Sequence, residues 1–375
     1  MKYYIIAGEA SGDLHGSNLI KELRKLDKAA NIRAWGGDLM QLAGAAVVKH
    51  YRDLAFMGFL EVVQNLPTIL RNLKFCKKDI LAFRPDVLVL VDYPGFNLRI
   101  AKWAKEQGFK VIYYISPTVW AWKESRVKLI RNVVDRMMVI LPFEREFYAT
   151  RWDYKVEYVG HPLVQAVNDF KEQNKKVLHY EKPVIALLPG SRKQEIAAKL
   201  PIMLEATKAF PQYQFVVAKA SSLDDNYYQP FLLNYPTVES VRNETYALLS
   251  VSTAALVTSG TATLETALFG VPEVVCYKTS TVSYEIAKRL IRIKYISLVN
   301  LIMNKLIITE LIQNDLTIAN VVKELDTILH DPNRQQQIKK DYQELREVLQ
   351  QGGNASEKAA KHVYDFVQSF TSKSV

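Results

Sequence analysis

An arginine closes the run LPGSR at Leu188–Arg192, and about 70 residues further on the run TSGTATLE fills Thr258–Glu265. Each follows an apolar stretch, VIALL at Val184–Leu188 and AALV at Ala254–Val257, and each turns through Ser and Gly into a helical pattern. A strand that feeds such a turn and then a helix leaves unpaired backbone N–H groups at the positive end of the helix dipole. Two such ends suit a diphosphate. Arg192 adds a permanent cation whose planar fork matches phosphate oxygens, and Ser191, Ser259, Gly260 and Thr261 supply neutral donors. Glu265 lies one turn beyond Thr261 on the same helix face, where it can accept from ribose hydroxyls. The spacing is not that of a Walker loop. An ordinary capped turn explains either run alone; the pair with Arg192 favours a nucleotide-diphosphate pocket.

A second group of residues carries acids. DYPGFN at Asp92–Asn97 ends the most apolar strand pattern, Asp86–Val91. A carboxylate at the carboxyl end of a strand, held by a Pro-Gly turn, suits a general base, because partial desolvation raises its pKa toward the working range. The alternative is that Asp92 only caps a helix starting near Phe96. GEASGD at Gly8–Asp13 directly follows the first strand; its small residues let a ligand approach the backbone, Ser11 or Asp13 can cap the next helix, and Glu9 or Asp13 can face an acceptor sugar. A tight capped turn is the competing reading. In SPTVWAW at Ser116–Trp122, the indoles of Trp120 and Trp122 stand beside Lys123, Arg126 and Lys128 and suit acyl chains and a phosphate, although packing is the commoner use of such residues. His15 and His161 have no partners at metal-ligand spacing and read as surface or hinge histidines.

These groups need a scaffold. Short Val/Ile-rich runs at Tyr3–Ala7, Ile32–Trp35, Val87–Val91, Val111–Ile115 and Met137–Leu141 alternate with helical patterns such as Leu14–Leu26 and Leu98–Gln107. That alternation predicts a parallel sheet covered on both faces. The pattern pauses at Gly160–His161–Pro162 and the charged run Lys171–Lys182, then restarts at Val184 with Phe215–Val217, Ala254–Val257 and Glu273–Tyr277. We therefore expect an α/β protein with two Rossmann-like parallel-sheet domains, residues 1–165 and 166–350. A C-terminal helix over 351–375 is expected to pack on the first domain. The tail reads as helices at Ile318–His330, Asn333–Leu349 and Ala355–Phe370. Ligands of such sheets sit at the carboxyl ends of the strands, in a cleft that the two domains would face.

Of the net charge of +10, the segment Arg99–Arg136 holds nine basic residues against three acids, and Glu285–Lys305 five against one. Solvated helix faces explain each segment alone; affinity for anionic partners such as lipid head groups explains both. Tyr3–Ala7 is too short for a signal peptide, the uncharged stretch Thr245–Leu264 is too rich in Ser, Thr and Gly for a membrane span, and Cys76 and Cys276 suggest neither a disulfide framework nor a zinc site. A reducing cytoplasm is the expected setting. Leu54–Leu81 reads as an amphipathic helical stretch whose apolar start, Phe56–Val63, is either core or a membrane-docking patch. No RNP, helix-turn-helix or zinc-finger pattern supports nucleic-acid binding, and the missing GxGxxG counts against a nicotinamide cofactor.

Taken in order, GEASGD (Gly8–Asp13), MGFLEV (Met57–Val62), DxPxFN (Asp92–Asn97), SPTVWAW (Ser116–Trp122), LPFE (Leu141–Glu144), GHP (Gly160–Pro162), LPGSR and TSGTATLE closely resemble the lipid-A-disaccharide synthases of Gram-negative bacteria, inverting glycosyltransferases of the GT-B architecture. One departure is Gly95, where well-studied members carry an acid; it leaves Asp92 as the only carboxylate of that turn. The resemblance implies transfer of 2,3-diacylglucosamine from UDP-2,3-diacylglucosamine to the 6-hydroxyl of 2,3-diacylglucosamine 1-phosphate (lipid X), with inversion. It implies Asp92 and Arg192 as catalytic residues. It implies Glu9, Ser11, Asp13, Asn97, Trp120, Ser191, Ser259, Gly260, Thr261 and Glu265 as substrate-binding residues. No metal or other cofactor is expected. Peripheral contact with anionic inner-membrane lipids from the cytoplasm and a homodimer with exchanged C-terminal elements are further implications. A related GT-B enzyme acting on UDP-N-acetylglucosamine, an epimerase or a peptidoglycan glycosyltransferase, is the alternative.

Overall fold

A computed structural model of the chain describes residues 1–53, 66–173, 178–291 and 293–371. They form two compact units, Met1–Pro162 with Gln351–Val375, and Leu163–Gln350. The apolar start expected to dock on membranes, Phe56–Val63, lies outside the described residues.

In the first unit the strands are β1 (Lys2–Ala7), β2 (Asn31–Gly36), β3 (Ala46–His50), β4 (Val87–Val91), β5 (Val111–Tyr114), β6 (Arg136–Val139) and β7 (Glu157–Tyr158), ordered β3-β2-β1-β4-β5-β6-β7. The second unit holds β8 (Val184–Leu188), β9 (Gln214–Lys219), β10 (Glu239–Arg242), β11 (Ser252–Thr258), β12 (Glu273–Tyr277) and β13 (Thr309–Ile312), ordered β10-β9-β8-β11-β12-β13. Every pairing among them is parallel.

The reason is written in the strands. Successive side chains of a strand point to opposite faces, and both faces here are apolar. Tyr4 and Ile6 of β1 with Leu88 and Leu90 of β4 enter one core, which holds Cys76, Phe96, Ile130 and Tyr148. Tyr3, Ile5 and Ala7 with Val87, Val89 and Val91 enter the other, built on Leu19, Ile20 and Leu23 of the helix Ala10–Leu26 and on Ala359, Ala360, Val363 and Val367 of the helix Ala355–Thr371. The central strands of a sheet sandwiched in this way are apolar on both faces and gain nothing from alternation. The second sheet follows the same rule: Val184, Ala186 and Leu188 share a core with Val216, Ala218, Ala255 and Val257.

Where the chain leaves the first unit and where it returns, backbone meets backbone. A Cβ on Gly352 would lie 2.2 Å from the Gly160 Cα, and one on Gly160 would lie 2.8 Å from the Gly353 carbonyl oxygen. Only glycine allows that approach. Among the described residues no helix is long and apolar enough to cross a membrane; Thr245–Leu264 divides into the helix Thr245–Val251, β11 and the start of the helix Thr261–Phe269.

In each sheet the strand order reverses once. The first strand of each unit grows outward on one side, and the chain then crosses to the other, so β1/β4 and β8/β11 are the switch points where an open parallel sheet offers a crevice. The GEASGD and DYPGFN turns follow β1 and β4; the LPGSR and TSGTATLE turns follow β8 and β11.

Candidate active site

Asp92 and Tyr93, directly after β4, both have left-handed backbone, φ 45° and 50°. Two consecutive non-glycine residues there are strained by about 1–3 kcal/mol each. The surroundings hold them in place. The Asp92 carbonyl accepts from the Tyr113 hydroxyl at 2.6 Å and from Asn97 Nδ2 at 2.7 Å, while the Asp92 N–H donates to the Tyr114 carbonyl at 3.0 Å. The bonds pin the backbone, and Asp92 stands directly after β4 at the β1/β4 switch point. Burial and then the charge of Glu9 raise its pKa to about 6, against a hydrogen bond from the Tyr93 backbone N–H. The helix after it, Pro94–Glu106, is capped by Tyr93 without a side-chain bond, so Asp92 is not its cap.

Across the switch point, Glu9 is the N-cap of the helix Ala10–Leu26 through extended backbone, again with no side-chain cap. Neither Ser11 nor Asp13 caps it. Ser11 is exposed on the first turn. Asp13, expected beside the substrate, is buried at 3% exposure and already engaged: Oδ1 accepts from the Gly37 and Met40 N–H groups at 2.7 and 3.1 Å, and Oδ2 from the Leu39 N–H at 3.1 Å. It caps the helix Asp38–Leu42, a task invisible in sequence because its partners lie 24–27 residues away. Asn97 is likewise corrected. Fully buried, its amide donates to the Val91 and Asp92 carbonyls, so it supports the turn from beneath.

Trp120 is half-buried. Its indole N–H donates to Glu144 Oε1 at 3.2 Å and its ring meets Phe143 edge-on. Glu144 is buried, its Oε2 accepts from the Leu141 N–H, and burial raises its pKa to about 8. Trp122, by contrast, is exposed, with the Lys123 ammonium 4.4 Å and the Arg126 guanidinium 5.4 Å from its ring centre. His15 and His161 are not surface residues. Both are buried enough that desolvation depresses their pKa, His15 to about 4 and His161, with His15 as a like-charged neighbour, to about 3.

In the second unit β8 and β11 pair with Leu188 opposite Val257, so the two Ser/Gly turns emerge side by side. Arg192 is the extended N-cap of the helix Lys193–Ala206, exposed, with Nη1 2.7 Å from Glu195 Oε1. The exposed Ser191 donates its N–H to Glu195 Oε2 at 3.2 Å. Gly260 caps the helix Thr261–Phe269 at φ 146°, and both Gly260 and Thr261 face solvent. Ser259 Oγ donates to the Ile296 carbonyl at 2.8 Å. Glu265 lies deep under this turn, its Oε1 accepting from the Tyr246 hydroxyl at 2.9 Å, and desolvation raises its pKa. The β8/β11 turns therefore carry the exposed Arg192, two helix N-termini and a half-buried carboxyl with a tyrosine donor.

Sequence reasoning passed over three contributors. Tyr113, like its neighbour Tyr114, carries a hydroxyl in a fully buried strand. Glu144 ends LPFE with nothing local to mark it as buried. Lys199 is a lysine set within the buried stripe Ile196, Leu200 and Met203, and that misfit was the available signal. Among the described residues no three His, Cys, Asp or Glu side chains gather as metal ligands.

The family model described as lipid-A-disaccharide synthetase matches residues 3–364. The chain belongs to the lipid-A-disaccharide synthetase family. Relatives named lipid-A-disaccharide synthase include that of Geobacter metallireducens, 39% identical over 97% of this chain and 96% of its own, and that of Coxiella burnetii, 37% identical over 97% and 98%. Solved structures of the same fold include a UDP-GlcNAc 2-epimerase from Neisseria meningitidis bound to UDP-GlcNAc (TM-score 0.66, 14% identity, 98% of this chain and 100% of that one). The glycotransferase of kitacinnamycin is another (TM-score 0.67, 14% identity, 97% and 98%). As a lipid-A-disaccharide synthetase family member the chain is a hexosyltransferase of GT-B fold; the epimerase likeness, at that identity, is one of fold alone.

Proposed function

We propose that the chain joins two diacylglucosamine units with Asp92 as base and Arg192 as the cation on the leaving diphosphate. The 6-hydroxyl oxygen of 2,3-diacylglucosamine 1-phosphate attacks the anomeric carbon of UDP-2,3-diacylglucosamine from the face opposite UDP. The carbon–oxygen bond to the diphosphate breaks with its electron pair on UDP, and the hydroxyl proton passes to Asp92. The product is the β-1,6-linked disaccharide 1-phosphate. The observation that carries this reading is Asp92 itself: a strained, desolvated carboxylate beside Glu9 at a switch point, with its proton affinity raised to about 6. Such a group is ionised at neutral pH yet basic enough to accept a proton.

On the donor side, the turn N–H groups of Ser259, Gly260 and Thr261, with Ser191 and Arg192, stabilise charge growing on UDP as preorganised donors, and Glu265 holds the ribose. This mechanism requires no metal. Glu9 and the exposed Ser11 meet the acceptor, and Trp120 offers it a ring edge. Anionic membrane lipids meet Trp122, Lys123 and Arg126, which pair an indole with two cations; association is peripheral, on the cytoplasmic side, and the protein is a homodimer. The deciding experiment incubates purified protein with both substrates and reads the product by mass spectrometry. A tetraacyl disaccharide 1-phosphate with UDP supports the reading, and epimerised or unreacted donor sinks it.

A further inference from the structure

Lys199 is the only lysine among the largest fully buried side chains of the described residues, at 2% exposure. A buried ammonium is costly unless paired, and its surroundings explain it. Nζ donates to Thr258 Oγ1. Thr258 ends β11, one residue before the Ser259–Gly260 turn, and stands opposite Cys276 of β12. Lys199 itself comes from the helix that follows the other turn, so it ties the two phosphate-type turns together from below.

A charged chain runs through it. Arg192, Glu195 and Lys199 are spaced i, i+3 and i+7, one face of the helix Lys193–Ala206. Glu195 accepts from Arg192 on one oxygen and from the Ser191 N–H on the other, and it fills the space beside Gly190, whose Cβ would meet Glu195 Oε2 at 2.5 Å. Burial alone would raise the Glu195 pKa, but Arg192 and the field of Lys199 hold it below the usual range. Glu195 therefore stays ionised and competes with any incoming phosphate for Arg192. Lys199 follows Glu195 by four residues on that face; burial lowers its pKa, and the charge of Glu195 opposes that shift, so the ammonium and the carboxylate each favour the other's ionised form.

We propose that Lys199 is a positioning residue for the nucleotide diphosphate: it fixes the end of β11 against the helix after β8, and it balances Glu195 so that Arg192 can leave that carboxylate for phosphate. This rests on reading the two turns as the UDP site. The test is calorimetric titration of UDP into wild type, Lys199→Met, Glu195→Gln and the double variant, with a thermal melt of each. In the wild-type background Lys199→Met should weaken UDP binding about 10-fold, the scale of one charge-assisted hydrogen bond. In the Glu195→Gln background the same change should weaken it by no more than about threefold, since the charge to be balanced is gone, a coupling that additivity would not produce. Lys199→Arg, keeping the charge, should restore most of the affinity. Equal losses in both backgrounds would reduce Lys199 to a packing element and overturn the inference while leaving the UDP site standing. If Lys199→Met does not fold, Glu195→Gln carries the test: freeing Arg192 should tighten UDP binding about threefold, and weaker or unchanged binding overturns the inference. A wild-type chain that binds no UDP overturns the nucleotide reading and the inference with it.

Discussion

At the β1/β4 switch point the turns carry two acids, Glu9 and Asp92; at β8/β11 two cations, Arg192 and Lys199, stand on either side of Glu195 along one helix face. The sheets have the same parallel plan, each with one switch point. A few side chains reverse the chemistry. In the first unit burial and a like-charged neighbour push Asp92 up to about 6. In the second, burial would raise Glu195 too, but its cationic neighbours hold it below the usual carboxylate range. The same desolvation thus prevails at one carboxylate and is outweighed at the other, according to what stands beside it.

The contrast can be broken most severely at Asp92. Asp92→Asn keeps shape and removes basicity, so turnover should fall on the order of 100-fold to 10,000-fold. UDP affinity by titration should stay near wild type; a variant with most of its activity ends the assignment. At the other crevice, Arg192→Ala should weaken UDP binding by roughly 1.5–3 kcal/mol and slow transfer with it. Unchanged affinity would put Arg192 outside the pocket. A smaller effect separates the buried and the exposed polar residue of GEASGD. Asp13→Ala strips three backbone N–H groups of their acceptor and should lower unfolding stability by about 1–3 kcal/mol, whereas Ser11→Ala should stay within about 0.5 kcal/mol. Denaturant melts of both would reveal an error in either direction.

A subtler probe uses pH. Because Asp92 must be ionised to act, kcat/KM should rise with pH through about 6 and level off above it. Desolvation is the main cause of that raised value and Glu9 the second, so Glu9→Gln should move the acid limb to lower pH, by roughly one unit at most. A limb that stays in place or moves upward means Glu9 does not act on Asp92. Finally, EDTA should leave transfer unchanged; loss on chelation with recovery on added magnesium would defeat the metal-free mechanism.

Legibility followed burial. The central strands β1, β4, β5, β8, β11 and β12 are continuous apolar runs with little other use, and the sequence marks them within a residue or two. The edge strands β3 (AVVKH), β7 (EY), β10 (ESVR) and β13 (TELI) are short, mixed and half-exposed; only the neighbouring strand makes them strands, and no local pattern announces that. The site divides in the same way. Arg192 and Asp92 stand at strand ends that periodicity locates. Asp13 and Asn97 have the right residue types in the right motifs but work inward, because their partners are backbone groups brought near only by folding. Tyr113 and Lys199 were passed over for the opposite reason: each sits in an element whose apolar pattern disguised a polar task.

The glycine crossing at Gly160 and Gly352 has a consequence for synthesis. The second unit is one unbroken segment, Leu163–Gln350, while the first is split around it. Chains are made from the N-terminus and domains generally fold as units. When Gln350 emerges, the second unit has all of its residues, but one wall of the first unit's core, Ala359, Ala360, Val363 and Val367, does not yet exist. The unit that begins the chain is therefore the last to be completed. Until then the faces of β1 and β4 that carry Tyr3, Ile5, Val87 and Val89 lack part of their cover, which makes the nascent first unit the stage most dependent on protection from aggregation.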